Sequence, residues 1–477
     1  MSLTHALKWS FLGELVAKAI QPVVFIVLVR LLTPADYGVM FSALMVISFS
    51  QIFWEAGMGK ALIQRQTDVE DAANAAFWIN IGLGVVIATI LYLVASPVAL
   101  IFFHDERVSA VLHVMTIQVF LGAVSAVHTA LLQKDMSFQK LFWVQFATVS
   151  LPGLASIPLA MNGMGYWALV AGALVGQLFQ VIMLWRMSHW RPQFTFNIKV
   201  AKVLVRFGSW VGLSGLLSWF YIWADSLIVG MYLGSHDLGL YRTGSQFVTM
   251  VFALLFGPII AVLYSHLSRM HQDKGRLGVA IEKVIKVLIL ISIPIGFIIF
   301  SLSEPIGLLL FSKKWYGISF VIGAMALMNS FGWIVGMNGE FYRALGKPAY
   351  ESIITGITLI VYGFVYYLAI KQSFKIFILA RFTLSIGALI LHFIVLCKVF
   401  PIGLGSIIRY LGLSTILVSV MIKITQYMIS TVFTNVWLHL ILSLVLNLLF
   451  VGITIYLVER KGLIHELINK IKIESKE

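Results

Sequence analysis

The chain has 477 residues, of which 60% are hydrophobic and only 11% charged, against roughly 45–50% and 25% in soluble globular proteins. Its mean hydropathy is +0.96, and no soluble fold could cover that much apolar surface, which excludes soluble enzymes, nucleic-acid binders, disordered chains and secreted disulfide scaffolds as whole-chain readings and leaves a polytopic integral membrane protein. The net charge of +14 suits basic cytoplasmic loops better than nucleic acid, and with Cys397 as the single cysteine neither a disulfide within the chain nor a CxxC metal site is available.

The first apolar segment carries Glu14, Lys18 and Gln21 and runs to Leu32. It lacks the short apolar region and small-residue cleavage site of a signal peptide, so it is expected to be the first transmembrane helix. A span needs about 20 mostly apolar residues. Fourteen segments satisfy this: 9–32, 38–60, 77–101, 108–131, 142–161, 164–186, 207–233, 238–264, 284–311, 317–342, 350–370, 375–397, 405–429 and 434–458. The expected fold is therefore an all-α polytopic membrane protein. Connections are short, and no soluble domain fits between any two helices.

Charge tests the map. With the N-terminus inside, the opposite face holds seven of the 34 Lys and Arg (Arg30, Arg107, Arg242, Lys313, Lys314, Lys371, Lys375). Lys18, Arg381 and Lys423 fall within spans, and the remaining 24 lie on the cytoplasmic side. This positive-inside bias predicts an even helix count with both termini cytoplasmic.

An internal repeat is visible. Leu32, Asp36 and Gly38 recur as Leu233, Asp237 and Gly239 at an offset of 201, which also pairs Trp9 with Trp210, Leu12 with Leu213 and Leu62 with Leu263. Pro97-Val98-Ala99-Leu100 matches Pro305-Ile306-Gly307-Leu308 at an offset of 208. The expected organisation is an N-lobe of helices 1–6 over residues 1–190, a C-lobe of helices 7–12 over 191–400, and helices 13 and 14 with a basic tail over 401–477. An even number of spans per repeat makes the two lobes parallel, which points to two bundles with a site between them.

Charged groups inside spans carry the functional signal, because each is costly in lipid. Glu14 and Lys18 are one turn apart on the same helix face. They either neutralise each other or line a pathway as a titratable carboxylate and a cation. Ser214, Ser218, Tyr221 and Asp225 form a polar stripe on helix 7. Asp225 is either hydrogen-bonded to neighbouring hydroxyls or, with Glu14, an ion-coupling group. Arg30, Arg242 and Arg381 lie towards the outer side, where they snorkel or meet an anionic headgroup. His128 and His392 in spans read as satisfied polar groups. Gly57-Met58-Gly59-Lys60 lacks the spacing of a phosphate loop, and no GxSxG, HExxH or GxGxxG is present. No catalytic residue, cofactor or metal is expected.

Arg30-Leu31-Leu32-Thr33-Pro34-Ala35-Asp36-Tyr37-Gly38, with Glu55-Ala56-Gly57-Met58-Gly59 and Ala61-Leu62-Ile63, resembles the opening of bacterial Wzx-type polysaccharide flippases, in the multidrug/oligosaccharidyl-lipid/polysaccharide superfamily. Asp225–Gly230 and Leu238-Gly239-Leu240-Tyr241-Arg242 are similar to their second-half counterpart, and Ala344-Leu345-Gly346-Lys347-Pro348 to their helix 10–11 turn. The resemblance covers about residues 5–400. It implies a V-shaped two-lobed exporter of the bacterial inner membrane that moves polyprenyl-pyrophosphate-linked oligosaccharide by alternating access. It also implies a glycan polymerase and glycosyltransferases as pathway partners. An anionic pyrophosphate would need cations such as Lys18. A multidrug antiporter of the same superfamily shares the twelve-helix core, and a membrane glycosyltransferase or polymerase is the enzyme alternative; short outer loops speak against the latter.

Overall fold

In lipid a spanning backbone must satisfy its own polar groups, and helix is the regular element throughout the described chain. The computed structural model describes residue 9 and residues 19–55, 57–268, 274–336, 341–342, 349–400, 402–430, 441–449 and 451–452. The chain divides into two compact units, Met1–Arg242 and Thr243–Glu477.

In the first unit α1 is described over 19–31. Helix α2, Pro34–Glu55, starts four residues ahead of the expected boundary because Thr33 caps it. The Asp36 amide donates to the Thr33 hydroxyl (3.2 Å), while the Asp36 carboxylate accepts from the Thr33 N–H (2.9 Å) and hydroxyl (2.6 Å). This is a capping box with Pro34 in the first helical position, where its missing N–H costs nothing. The expected span 38–60 is not continuous. Gly57 adopts φ 65°, and α3, Met58–Gln64, starts beyond it. A side chain there would also collide with Val211.

Helix α4, Val69–Val98, ends in a π-helical turn, Ala99–Phe103, before α5, Glu106–Lys134. Helices α6, Phe138–Met161, and α7, Tyr166–Met187, complete the set. Ala72, Ala73, Ala75 and Ala76 are buried around Met58, Leu62 and Val127; small side chains allow the close helix approach on which packing in lipid depends. A second core gathers Trp54, Ala95, Phe103, Met115, Val119 and Trp219.

Helix α8, Ile198–Ser268, merges two expected spans and is interrupted only at Gly234 (φ 79°, ψ −174°). In the second unit, α9, Lys274–Ser301, breaks at Leu302 into α10, Ser303–Leu310. Helices α11, Ile318–Val335, α12, Ala349–Ile370, α13, Phe374–Val399, and α14, Leu404–Ser430, follow. Phe252, Phe256 and Trp333 stack, with Phe256 and Trp333 centroids 5.0 Å apart. The Glu282 carboxylate on α9 accepts from Lys286 (2.6 Å), from the Gly403 N–H (2.9 Å) and from the Ser406 hydroxyl, so it anchors the N-terminal turn of α14. Lys286 also lies 5.0 Å from the ring centre of Tyr410 on α14.

Among the described residues eleven helices are long and apolar enough to cross a membrane. Two expected spans fuse in α8, and 9–32 and 434–458 are described only in part.

Candidate functional site

Glu14 and Lys18 lie outside the described residues. Arg30 is exposed at the end of α1, Asp225 and Arg242 flank the Gly234 break in α8, and Arg381 sits on α13 in the second unit.

Asp225 and Arg242 are brought together. Asp225 is 6% exposed. Its carboxylate accepts from the Tyr241 hydroxyl (2.7 Å) and from the Ser226 hydroxyl (2.9 Å) and N–H. It also lies within electrostatic reach of the Arg242 guanidinium. The expected polar stripe does not converge on it, since Ser214 and Ser218 donate to carbonyls one turn back and remain exposed. In a helix a lone hydroxyl commonly spends its proton this way, and the bend at Gly234 is what returns Tyr241 to Asp225. The Arg242 guanidinium lies 4.2 Å from the ring centre of Trp223 and 5.7 Å from that of Phe41. This cation–π arrangement joins both segments of α8 to α2.

A joint of backbone and carboxylates lies at the start of α2. Gly38 meets the backbone of Ser235, and Gly239 meets the backbone of Pro34. Asp36 also accepts from the Tyr166 N–H at 3.0 Å. Asp105 caps α5 through the Arg107 N–H (3.0 Å), takes both arms of the Arg107 guanidinium (3.0 and 2.8 Å) and accepts from the Ser235 hydroxyl (2.6 Å). Burial alone would raise the Asp105 pKa, but the hydrogen bonds from Arg107 and Ser235 and the Arg107 charge outweigh it and hold the carboxyl below the usual aspartate range.

Charge-based reasoning missed a polar cavity of about 420 Å³ between α2, α3, α5 and α7. Among the described residues Glu55 and Lys60 are its only charged lining residues; the polar walls are otherwise mainly glutamines and hydroxyls. Gln118, Ser125, Thr129 and Gln133 fall on one face of α5, and Gln177 and Gln180 one turn apart on α7. That spacing was present in the sequence, but a neutral amide raises no charge signal. His128 is not a satisfied polar group: neither ring nitrogen has a hydrogen-bond partner, and the ring packs among Phe77, Trp185 and Trp190.

The fold is that of known transporters. The lipid II flippase MurJ, in an inward closed conformation, superposes with a TM-score of 0.71 at 13% identity, covering 94% of this chain and 98% of MurJ. An inward-facing multidrug resistance MATE transporter superposes with a TM-score of 0.62 at 14% identity, covering 82% and 98%. In sequence, the chain is 26% identical over 326 residues to the succinoglycan biosynthesis transport protein ExoT of Rhizobium meliloti (strain 1021), covering 68% of this chain and 66% of ExoT. It is 25% identical over 370 residues to the teichuronic acid biosynthesis protein TuaB of Bacillus subtilis (strain 168), covering 77% and 76%. The lipopolysaccharide biosynthesis protein WzxC of Escherichia coli (strain K12) is 21% identical over 329 residues, covering 68% of this chain and 66% of WzxC. The polysaccharide biosynthesis protein family matches residues 27–319, well over half of the chain, and this multi-pass membrane protein belongs to that family.

Proposed function

We propose that the chain is a flippase that moves polyprenyl-pyrophosphate-linked oligosaccharide across the bacterial inner membrane by alternating access, for assembly of an exported polysaccharide, and that it performs no catalytic step. The family match over 27–319 carries this reading. The relatives support it, since their names place them in succinoglycan, teichuronic acid and lipopolysaccharide biosynthesis. The polymerase and glycosyltransferases of the same pathway are the proposed partners. Lys18, Arg30, Arg242 and Arg381 are the cations available to the pyrophosphate, and Glu14 and Asp225 the carboxylates available for ion coupling. The two lobes are residues 1–190 and 191–400, followed by two further helices. Both termini face the cytoplasm, as the 24-to-7 distribution of basic residues favours.

Purified protein in vesicles tests the reading. The wild type is expected to expose a fluorescent lipid-linked oligosaccharide to the opposite leaflet, and Lys18→Ala to lose this at normal protein level. Transport that survives in both Lys18→Ala and Lys18→Glu removes Lys18 from the site. Vesicles of wild-type protein that move a lipophilic cation but no lipid-linked sugar would favour the antiporter reading.

A further inference from the structure

Among the described residues the polar cavity of the first unit is lined mainly by neutral polar groups. Lys60 is the one described cation and Glu55 the one described carboxylate, which already accepts from Gln51 at 2.8 Å. Ser125 and Thr129 spend their protons on the carbonyls of Gly122 and Ser125. The groups left over are amides. Among the described residues the Gln118, Gln133, Gln177 and Gln180 side chains make no hydrogen bond, and the Gln118 amide oxygen is buried without a partner. Trp54, 6% exposed, lines the same cavity, and its indole N–H is also buried without a partner. Gly122 makes room for that indole, since a side chain there would collide with the ring.

Buried polar groups are normally hydrogen-bonded. The Gln118 amide oxygen and the Trp54 indole N–H, both buried without a partner, are costly in an empty site and useful in a filled one, and the other amides stand beside them with their hydrogen bonds unused. An amide offers both donors and acceptors without charge, the complement of a sugar hydroxyl, which also does both. The volume falls in the range of about 300–1,000 Å³ common for small-ligand sites. A second cavity of about 330 Å³ shares Thr129, Gln133 and Gln180 with the first and adds Gln145, Phe142 and Trp9, with no charged lining residue among the described residues. The amides thus continue into a space with aromatic faces, against which the C–H face of a sugar ring can pack.

We infer that this amide-lined cleft is a glycan subsite, taking one or two uncharged sugar units of the lipid-linked substrate through their hydroxyl groups. The inference rests on the transport reading above and assigns the sugar hydroxyls to neutral amides rather than to cations.

The test uses Gln118→Met/Gln177→Met, which keeps side-chain length and removes the amides, and the full-length protein in detergent. The probes are bare polyprenyl pyrophosphate and its galactosyl, glucosyl and mannosyl forms. At least one sugar form is expected to bind the wild type tenfold or more tightly than the bare lipid. The double variant should lose that gain and keep its affinity for the bare lipid. Its melting temperature should not fall, because replacing unsatisfied amides by apolar groups of similar shape is neutral or stabilising. A lowered melting temperature with sugar affinity intact would make the amides structural and overturn the inference. So would equal weakening of all four lipids, or no preference of the wild type for any sugar form. If none of the four lipids binds, the transport reading fails, and the cleft is judged separately on free methyl glycosides of the same hexoses by ¹⁹F NMR of 5-fluorotryptophan protein. A shift of the resonance assigned through Trp54→Phe, abolished by the double variant, sustains the subsite; no shift overturns it.

Discussion

Gly38 and Gly239 make the same contact from opposite sides of one joint. Gly38 lies against the backbone of Ser235, and Gly239 against that of Pro34. The offset of 201 that relates Gly38 to Gly239 also relates Pro34 to Ser235. The contact is therefore reciprocal within the repeat, as an isologous interface is between two identical subunits. A Cβ at either glycine would overlap the opposing carbonyl. Gly38→Ala and Gly239→Ala are each expected to cost about 1–3 kcal/mol or more, as overpacking does. The double variant should cost clearly less than the sum, since either change alone opens the joint. Thermal inactivation of the three variants in detergent measures this; full additivity would show two independent contacts.

Asp105 gives the joint a pH dependence. Its carboxyl is held below its ordinary range, so the stability it contributes is fully present above the unfolded value of about 3.9 and is lost as pH falls through the lower folded value. Asp105→Asn is expected to shorten the thermal half-life at pH 7, by about 1–2 kcal/mol for a lost cap and charge-assisted bonds. The gap between the two proteins should narrow as pH drops below about 4. A gap that stays constant from pH 7 to pH 3 would show that the Asp105 charge does not matter.

Asp225 and Tyr241 separate coupling from cohesion. Tyr241→Phe removes one hydroxyl donor to the carboxylate and is expected to cost about 1 kcal/mol while leaving ion-gradient dependence intact. Asp225→Asn should abolish that dependence in vesicles and retain substrate binding. Gradient-dependent transport in Asp225→Asn at the wild-type rate would place the coupling group elsewhere.

Glu282 tests the attachment of α14. Glu282→Ala removes the acceptor for Lys286, the Gly403 N–H and the Ser406 hydroxyl together. A loss of about 1–3 kcal/mol is expected, with faster proteolysis around residues 400–404. Unchanged cleavage there would show that packing alone holds the helix.

The membrane class, the helical architecture and most span positions were legible because apolar runs of spanning length leave few other structures. The interruptions were harder to see. Gly57 and Gly234 are two of 38 glycines, and hydropathy does not register a positive φ. Charge identified Asp225 and Arg242 as a place to look. The hydroxyls that Asp225 accepts from are those of Ser226 and Tyr241 rather than of Ser214 and Ser218, because the bend that brings Tyr241 back is a backbone event. The glutamines of the cavity escaped because their spacing matters only once α5 and α7 face each other.

The joint at Gly38 also has to be assembled in stages. Asp36 takes the amide of Tyr166, and Asp105 the hydroxyl of Ser235, each across 130 residues of sequence. At about 5–20 residues per second, a nascent chain spends many seconds with α2 and α5 inserted and their shared end incomplete. A ribosome paused before Ser235 emerges leaves Gly38 without the backbone it packs on and Asp105 with Arg107 but without the Ser235 hydroxyl, so the joint closes only after the bend at Gly234 has been made.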